Sequence, residues 1–586
     1  MLILLGLLMA AAPAPVSARV AQLNALLAEQ WEYNLRTNPE FASILGDKRY
    51  NDQLSDLSQK AIDAEIAKDR EFLARFEAID AAGFPDQDAL NRALMIRQLR
   101  EGLEGVKFKD WEMPVSQFGG LHINAPQLVA VLSFETVKDY EDYISRLRKL
   151  PVAFDQITLL MKKGMAEKLM PPRILLEQVV GQAQAIAAQK PEESPFFVEP
   201  MKKMPASFSA KDKARLRSAM LAAIGKRVLP AYAKFTAFVK NDYAPNGRKE
   251  PGVWSLPEGD ARYAYAVKLS TTTDDTPEQI HQIGLAEVAK DRAAMLAIAQ
   301  KLGFPDCKSF EAAIAKDPKL HGQSREQMVD LYRKYIDAMW LKLPDLFGRL
   351  PKAKLEVRPI EAFREKNASG ADYQAGTPDG KRPGHVNVNT SDFANRLLTD
   401  VETTAYHEGV PGHHMQLSIA QELPTLPPFR QHAYYTAYTE GWALYAERLG
   451  RETGFYQDPY SLYGHYTDDL LRAIRLVVDT GFHAKHWTRQ QVVDYFHENS
   501  GIDEPTVQSE TDRYMAWPAQ ALGYKMGQLQ ILALREKAEK ELGSRFDLRS
   551  FHDEVLGGGA LPLDVLQERI ALWTRAREGH AVAPAR

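Results

Sequence analysis

The chain has 586 residues, with 73 Lys plus Arg against 77 Asp plus Glu, a net charge of −4 and 45% hydrophobic residues. That balance excludes a disordered chain, a collagen and a multi-span membrane protein, and it offers no general basic surface for nucleic acid. The one cysteine, Cys307, excludes an intrachain disulfide and thiolate-rich metal sites, and is read as a small buried hydrophobe.

The first residues, Met1-Leu-Ile-Leu-Leu-Gly-Leu-Leu-Met9, are too short an apolar run to span a bilayer, which needs about 20 residues. They fit the core of a secretory signal peptide over residues 1–18, although no Lys or Arg precedes the run. Val16 and Ala18 place small residues for cleavage after Ala18. No cysteine follows the run, so no stable membrane anchor is expected. Export without disulfides favours a periplasmic or secreted protein.

Helical spacing of apolar residues then recurs at 20–35, 61–79, 88–103, 136–149, 211–239, 276–302, 324–347, 433–452 and 461–486. Strand-like alternation is confined to 354–358 and 385–389, which could pair across the Gly- and Pro-rich stretch between them. Other breaker-rich connections lie at 190–209, 243–260 and 422–429. The tail, 577–586, reads as flexible. The fold class is mainly α, with a small β-sheet near the histidine-rich region.

Nine of the 14 histidines fall between His385 and His497. Neutral imidazole is the commonest transition-metal ligand, so the concentration points to a metal site. Its centre is His407-Glu-Gly-Val-Pro-Gly-His-His-Met-Gln416. This is similar to the zinc-peptidase pattern His-Glu-x-x-His, with residues inserted before the second His. On a straight helix, His407 and His413 would lie about 240° apart, and His407 and His414 about 10 Å apart in rise. Neither pair could then grip one ion. Pro411 removes a helix hydrogen bond and Gly412 permits unusual backbone angles, so the helix must bulge or break between the histidines. His413 is preferred to His414 as second ligand because fewer inserted residues need absorbing. His414 would then stand behind the ligands.

A catalytic zinc needs a third protein ligand. The next helix offers Tyr438-Thr-Glu-Gly-Trp-Ala-Leu-Tyr-Ala-Glu447. Glu440 and Glu447 share a face but lie about 10 Å apart. Glu440, beside Gly441, is the metal ligand of choice, and Glu447 would orient a ligand histidine. Glu408 would be the general base on a metal-activated water. The cofactor expected is one Zn²⁺ ion, although cobalt, manganese or iron also suit two imidazoles and a carboxylate.

The chain resembles the bacterial domain-of-unknown-function 885 proteins. The resemblance runs through Asp379-Gly-Lys-Arg-Pro-Gly384, the His407–Gln416 run, Thr439-Glu-Gly-Trp-Ala-Leu-Tyr-Ala-Glu447, Arg472-Ala-Ile-Arg-Leu-Val-Val-Asp-Thr-Gly481, Arg513-Tyr514 and Pro518-Ala-Gln-Ala-Leu-Gly-Tyr-Lys525. The family usually has Gly where Ala519 stands, and so small a side chain implies little damage. Members resemble helical zinc metallopeptidases of the gluzincin kind. The resemblance implies a two-lobed helical body around a deep cleft, with a helical lobe over about 19–250 and a catalytic lobe over about 251–576 of one domain, 19–576. It implies a zinc metallopeptidase, with a late-helix tyrosine, Tyr514 before Tyr524, donating to the oxyanion; it does not supply a substrate, although so deep a cleft would favour short peptides.

Around that centre, Asp479 and His483 are four apart and could meet on one helix face, the carboxylate orienting the imidazole toward substrate. Arg472, Arg475, Arg513 and Lys525 are candidates for holding a substrate carboxylate. Asn387 and Asn389 lie on a short strand that, if exposed at an edge, could bind substrate backbone. Two other readings remain: a metal-dependent hydrolase of a non-peptide amide or ester, and a non-catalytic metal-containing binding protein. Oligomeric state is not readable from the chain.

Overall fold

The computed structural model describes residues 14–361, 365 and 368–578. The apolar leader at 1–13 and the tail at 579–586 lie outside the described residues. Ala18 falls in the first turn of the helix Val16–Thr37. Among the described residues no helix is long and apolar enough to cross a membrane.

The molecule is mainly helical, with one three-stranded sheet. Helices stand at each apolar-periodic segment, and several of their starts carry side-chain caps. Thr276 and Gln279 form a capping box at α1 (Pro277–Lys301), and Ser324 caps α2 (Arg325–Leu346). The segment 211–239 departs from one continuous helix. Helices Ala210–Ala223 and Leu229–Phe238 are joined by a π-helical turn, Ile224–Val228, just before Pro230. Proline cannot donate the ordinary helix bond, and a π turn absorbs the mismatch. A further helix, Pro195–Lys202, lies inside the breaker-rich 190–209 stretch, with Pro195 at its first turn, where proline is tolerated.

The sheet consists of β1 (Leu355–Pro359), β2 (Ala371–Gln374) and β3 (Gly384–Val388), in the order β1-β3-β2. β1 and β3 pair in parallel, and β2 and β3 antiparallel. The pairing of 354–358 with 385–389 is thus present. β2 is an addition, hidden in a Gly- and Pro-rich stretch whose composition masks it. β3 is the central strand and is buried throughout. The expectation of an exposed edge at Asn387 and Asn389 is therefore incorrect: both sides of β3 are already paired.

The second half supplies α3 (Val401–Glu408), α4 (His413–Gln421), α5 (Thr436–Glu452), α6 (Pro459–Ala484), α7 (Glu504–Ala516) and α8 (Leu522–Leu542). α5 and α8 meet backbone to backbone. A Cβ on Gly441 would come within 2.4 Å of Gly527 Cα, and one on Gly527 within 1.7 Å of the Ala437 carbonyl oxygen. That contact draws α5 into the centre of the molecule, where it is buried along most of its length.

Residues 115–244 have a core of their own, from Val115 to Ala244. Leu23, Phe72 and Leu94 instead share a core with Tyr406, Trp442 and Leu561. A division of the chain near residue 250 is therefore not a division between cores.

Candidate metal centre

α3 delivers His407 and Glu408 in its last turn, and the helix ends there. The chain passes through Gly409, a cis Val410–Pro411 bond and Gly412, then re-enters helix at His413. The Gly412 N–H donates to the Tyr406 carbonyl at 3.0 Å, and the His414 N–H to the Gly409 carbonyl at 3.1 Å, closing the turn. Gly412 is required by proximity: a Cβ there would lie 2.0 Å from the His407 carbonyl oxygen. The Trp442 indole N–H donates to the Pro411 carbonyl at 2.9 Å and ties the turn to α5. The interruption foreseen at Pro411 is a complete break, and it brings the His407 and His413 rings to 4.7 Å between centroids, at 88°.

The two imidazoles present the same edge to one carboxylate. His407 Nε2 lies 3.6 Å and His413 Nε2 3.3 Å from the same Glu440 oxygen. All three residues are buried. Behind them, His407 Nδ1 meets a Glu447 oxygen at 2.7 Å, which leaves Nε2 as the free face. Thr403 donates to the other Glu447 oxygen at 3.0 Å. Burial works against a charge on His407, but Glu440 and Glu447 outweigh it and push its pKa up to about 10. Burial likewise opposes ionisation of Glu440, yet His413 and His407 hold it well below the usual carboxylate range. The centre is thus built to hold positive charge between acidic groups.

Glu408 flanks the same point. One carboxylate oxygen of Glu408 and one nitrogen each of His407 and His413 lie within 4.8 Å of one another. Glu408 is half-buried. Its pKa is raised, first by burial and then by the neighbouring charges of Glu440 and Asp372, against the pull of His407 and His413. Asp372 comes from β2 and accepts from Asn387 Nδ2 at 2.6 Å, so the small sheet reaches the centre through that residue.

Tyr434, which sequence reasoning missed, also belongs here. It precedes α5 and its hydroxyl donates to the second Glu440 oxygen at 2.6 Å, although the side chain is 54% exposed. An aromatic pair ahead of a helix carries no motif; only the start of α5 beside Glu440 reveals it. Tyr524 comes near from the facing helix: a Cβ on its neighbour Gly523 would lie 2.8 Å from Thr436, and the Tyr524 hydroxyl accepts from Arg513 at 3.1 Å.

Other expected site residues are spent within the fold. His414 is buried, with Nδ1 at 3.0 Å from the Tyr373 hydroxyl and Nε2 at 3.2 Å from the Ala353 carbonyl, so it fastens α4 to the sheet. Asp479 and His483 do not pair with each other. Asp479 accepts from the Tyr263 hydroxyl at 2.7 Å and from the Ala519 N–H at 3.1 Å. His483 accepts from the Val253 N–H and donates to the Tyr514 carbonyl, each at 3.0 Å. With both nitrogens used, His483 has none left for substrate. Lys525 is 1% exposed and faces Asp469 at 2.7 Å, Glu287 at 3.2 Å and Asp291 at 3.8 Å. It is the counterion of a buried acidic cluster and not a carboxylate receptor. Tyr514 is fully buried and its hydroxyl donates to Glu510, which removes it as an oxyanion donor. Asn387 bridges Arg358 and Asp372, and Asn389 donates to the carbonyls of Glu365 and Ala368. Arg472 pairs with Asp468 at 2.6 Å beside Glu447. Ala519 has a φ of +65°, the left-handed region, so its methyl group costs conformational energy that size alone did not suggest.

The chain aligns over its length with a crystal structure of a candidate lipoprotein from Colwellia psychrerythraea: 30% identity, a TM-score of 0.90, 95% of this chain and 100% of that one. A candidate lipoprotein of unknown function from Shewanella oneidensis shares the fold, at 18% identity, a TM-score of 0.69 and the same coverage. No curated protein matches. A family model described as bacterial protein of unknown function (DUF885) matches residues 39–570. With nearly all of the helical body and the whole of the His407–Glu440 centre inside that match, the chain belongs to the domain-of-unknown-function 885 family of bacterial proteins.

Proposed function

We propose that the protein is a metal-dependent hydrolase that cleaves peptide bonds of short peptides, with zinc as its metal. The observation that carries this reading is the convergence of His407 Nε2 and His413 Nε2 on one Glu440 oxygen, with Glu408 at the same point. Two imidazoles and one carboxylate are a zinc donor set that leaves an open position. The donors fit such an ion: they are buried, they face one point, and His407 is held in a single orientation by Glu447. When bound there, the ion supplies a Lewis acid that polarises a carbonyl and acidifies water.

The chain's own residues supply the rest. Glu408, whose pKa is raised by burial, takes a proton from the attacking water and passes it to the departing amine. Asp372 and Glu440 keep Glu408 basic by repulsion. Tyr434, unlike the buried Tyr514, is exposed, and its hydroxyl, which donates to Glu440, would be free to turn to the developing oxyanion once Glu440 holds the ion. Glu447, braced by Thr403, keeps the His407 ring from turning. With His407, His413 and Glu440 already supplying three donors, the further carboxylate of Glu408 favours catalysis over simple metal retention.

The similarity to two candidate lipoproteins supports an exported, envelope-associated location, in agreement with the apolar leader expected at residues 1–18.

The test is a mixed library of short peptides incubated with the purified protein and read by mass spectrometry, beside chelator-treated and Glu408→Gln samples. Cleavage lost in both controls is the expected result. Normal turnover by Glu408→Gln would sink the mechanism.

A further inference from the structure

A second constellation lies beside Tyr434 and has no part in the chemistry above. Glu510 accepts from Arg475 Nε at 2.9 Å and from the Tyr514 hydroxyl, and faces Arg513 Nη1 at 3.3 Å. Both guanidiniums lie against the Tyr524 ring, Arg475 at 4.6 Å and Arg513 at 5.6 Å from its centroid. Arg513 Nη2 also donates to Gln520 Oε1 at 2.8 Å and to the Tyr524 hydroxyl at 3.1 Å. Two positive side chains therefore share one carboxylate, and the rest of their partners are neutral.

Such sharing is costly in a buried place. A guanidinium taken out of water needs a countercharge and full use of its N–H groups. Here Arg475 Nη1 and Arg513 Nε are buried and have no hydrogen-bond partner among the described residues, and Arg475 is only 4% exposed. Among the residues bonded to this pair, one carboxylate, Glu510, faces two guanidiniums. The pair sits next to the candidate metal centre: a Cβ on Gly523, the neighbour of Tyr524, would lie 2.8 Å from Thr436, which stands two residues after Tyr434 and opens the helix that carries Glu440. Trp517, 40% exposed, follows Arg513 by one turn and bonds back to its carbonyl at 2.9 Å, with Phe118 packed 5.4 Å from its ring.

We propose that Arg513, steadied by Tyr524 and Gln520, receives the free C-terminal carboxylate of a peptide whose scissile bond lies at the His407–His413 centre. Arg513 Nη1, which bonds to Glu510 at 3.3 Å, keeps a second N–H for one charge-assisted bond to a carboxylate. Cleavage is then counted from the C-terminus. This rests on the peptidase reading given above.

The test separates the two claims. Zinc-loaded, full-length Glu408→Gln protein is titrated calorimetrically with N-acetylated tripeptide acids and the matching amides, ending in alanine or phenylalanine. A third probe, an amide ending in glutamate, distinguishes a terminal carboxylate from an acidic side chain. At least tenfold tighter binding of the acids over both kinds of amide is expected. Arg513→Gln should reduce that preference to within twofold while leaving amide affinity unchanged, and Arg513→Lys should retain part of it. Should Arg513→Gln fail to fold, Gln520→Ala gives the same reading with a smaller loss. Equal binding of acids and amides, a preference for the glutamate side chain, or no binding of any probe would overturn the proposal. Cleavage of the peptide library by the unsubstituted protein with no preference for free C-termini would overturn the subsite alone. Acid-selective binding with no peptide cleaved would overturn the peptidase reading alone.

Discussion

The region around His407 and the region around His483 are made of the same residue types. Each has buried histidine, carboxylate and tyrosine on packed helices, and each is named by motifs within one stretch of chain. They differ in what the polar atoms face. His483 has both ring nitrogens on backbone groups, Asp479 meets a phenol and a backbone N–H, and Lys525 is ringed by three carboxylates. His407 has only Nδ1 committed to a fixed partner behind it, while its Nε2 and that of His413 point at a shared oxygen. Chemistry needs donors left over once the fold has been satisfied. Burial and residue type do not separate the two cases; the direction of the last free nitrogen does.

The sharpest way to break that comparison is to exchange adjacent histidines. His413→Ala should abolish zinc retention at micromolar metal, whereas His414→Ala should keep one zinc per chain, as measured by elemental analysis after gel filtration. Equal loss in both variants would mean that orientation does not distinguish the two.

The next effect falls in the other region. Lys525→Met leaves Asp469, Glu287 and Asp291 buried without their cation. Removing one partner of a buried pair costs roughly 3–5 kcal/mol. Denaturant unfolding should show a loss of that order, with zinc content unchanged in the protein that remains folded. A parallel loss of zinc would tie the two regions together.

A pH series sharpens the contrast further. Burial lowers the pKa of His483 from 6.5 to about 3. The folded protein therefore refuses a proton that the unfolded chain accepts below pH 6.5. Stability is fully present above pH 6.5 and falls as the pH drops toward 3, by about 1.4 kcal/mol per unit for this one imidazole. His407 has the opposite sign. Without metal its pKa is about 10. Its contribution is whole below pH 6.5 and is lost as the pH rises through 10. Chelated protein should therefore weaken toward alkaline pH, and His483→Gln should flatten only the acid limb. Thermal melting between pH 5 and 10 checks both limbs.

The smallest effect concerns the turn that Asp479 holds. Ala519 occupies the left-handed region, which costs an alanine about 1–2 kcal/mol, while glycine returns part of that through its freer unfolded chain. Ala519→Gly should raise stability by roughly 0.5–1 kcal/mol, as a higher denaturant midpoint with unchanged slope. No gain would mean that the turn is held without strain.

Much of the fold was legible. The 3.6-residue spacing marked α1, α2, α5 and α6 to within a few residues, because each buries one face of a long helix. β2 was not legible, since four residues between glycines and prolines carry no period. At the centre, Pro411 and Gly412 announced the break, and the heptad spacing of Glu440 and Glu447 matches their places in front of and behind the His407 ring. The carboxylate receptor was left among four candidates, and Tyr434 went unseen. Pairing of Arg472 with Asp468 and of Lys525 with its acidic ring depends on which helix faces which, and no local spacing encodes that.

The sequence by itself determined the helical class, the family, and the set of residues able to bind a metal, because periodicity, helix breakers and ligand chemistry are properties of short segments. Tertiary structure alone decided which of those residues remain available. The Gly441–Gly527 contact seats Glu440 opposite the broken helix, Glu447 fixes one nitrogen of His407, and the packing of α6, α7 and α8 consumes His483, Asp479 and Lys525 while leaving Arg475 and Arg513 to share the carboxylate of Glu510. Those outcomes depend on distances between segments far apart in the chain, and such distances exist only once the helices have packed.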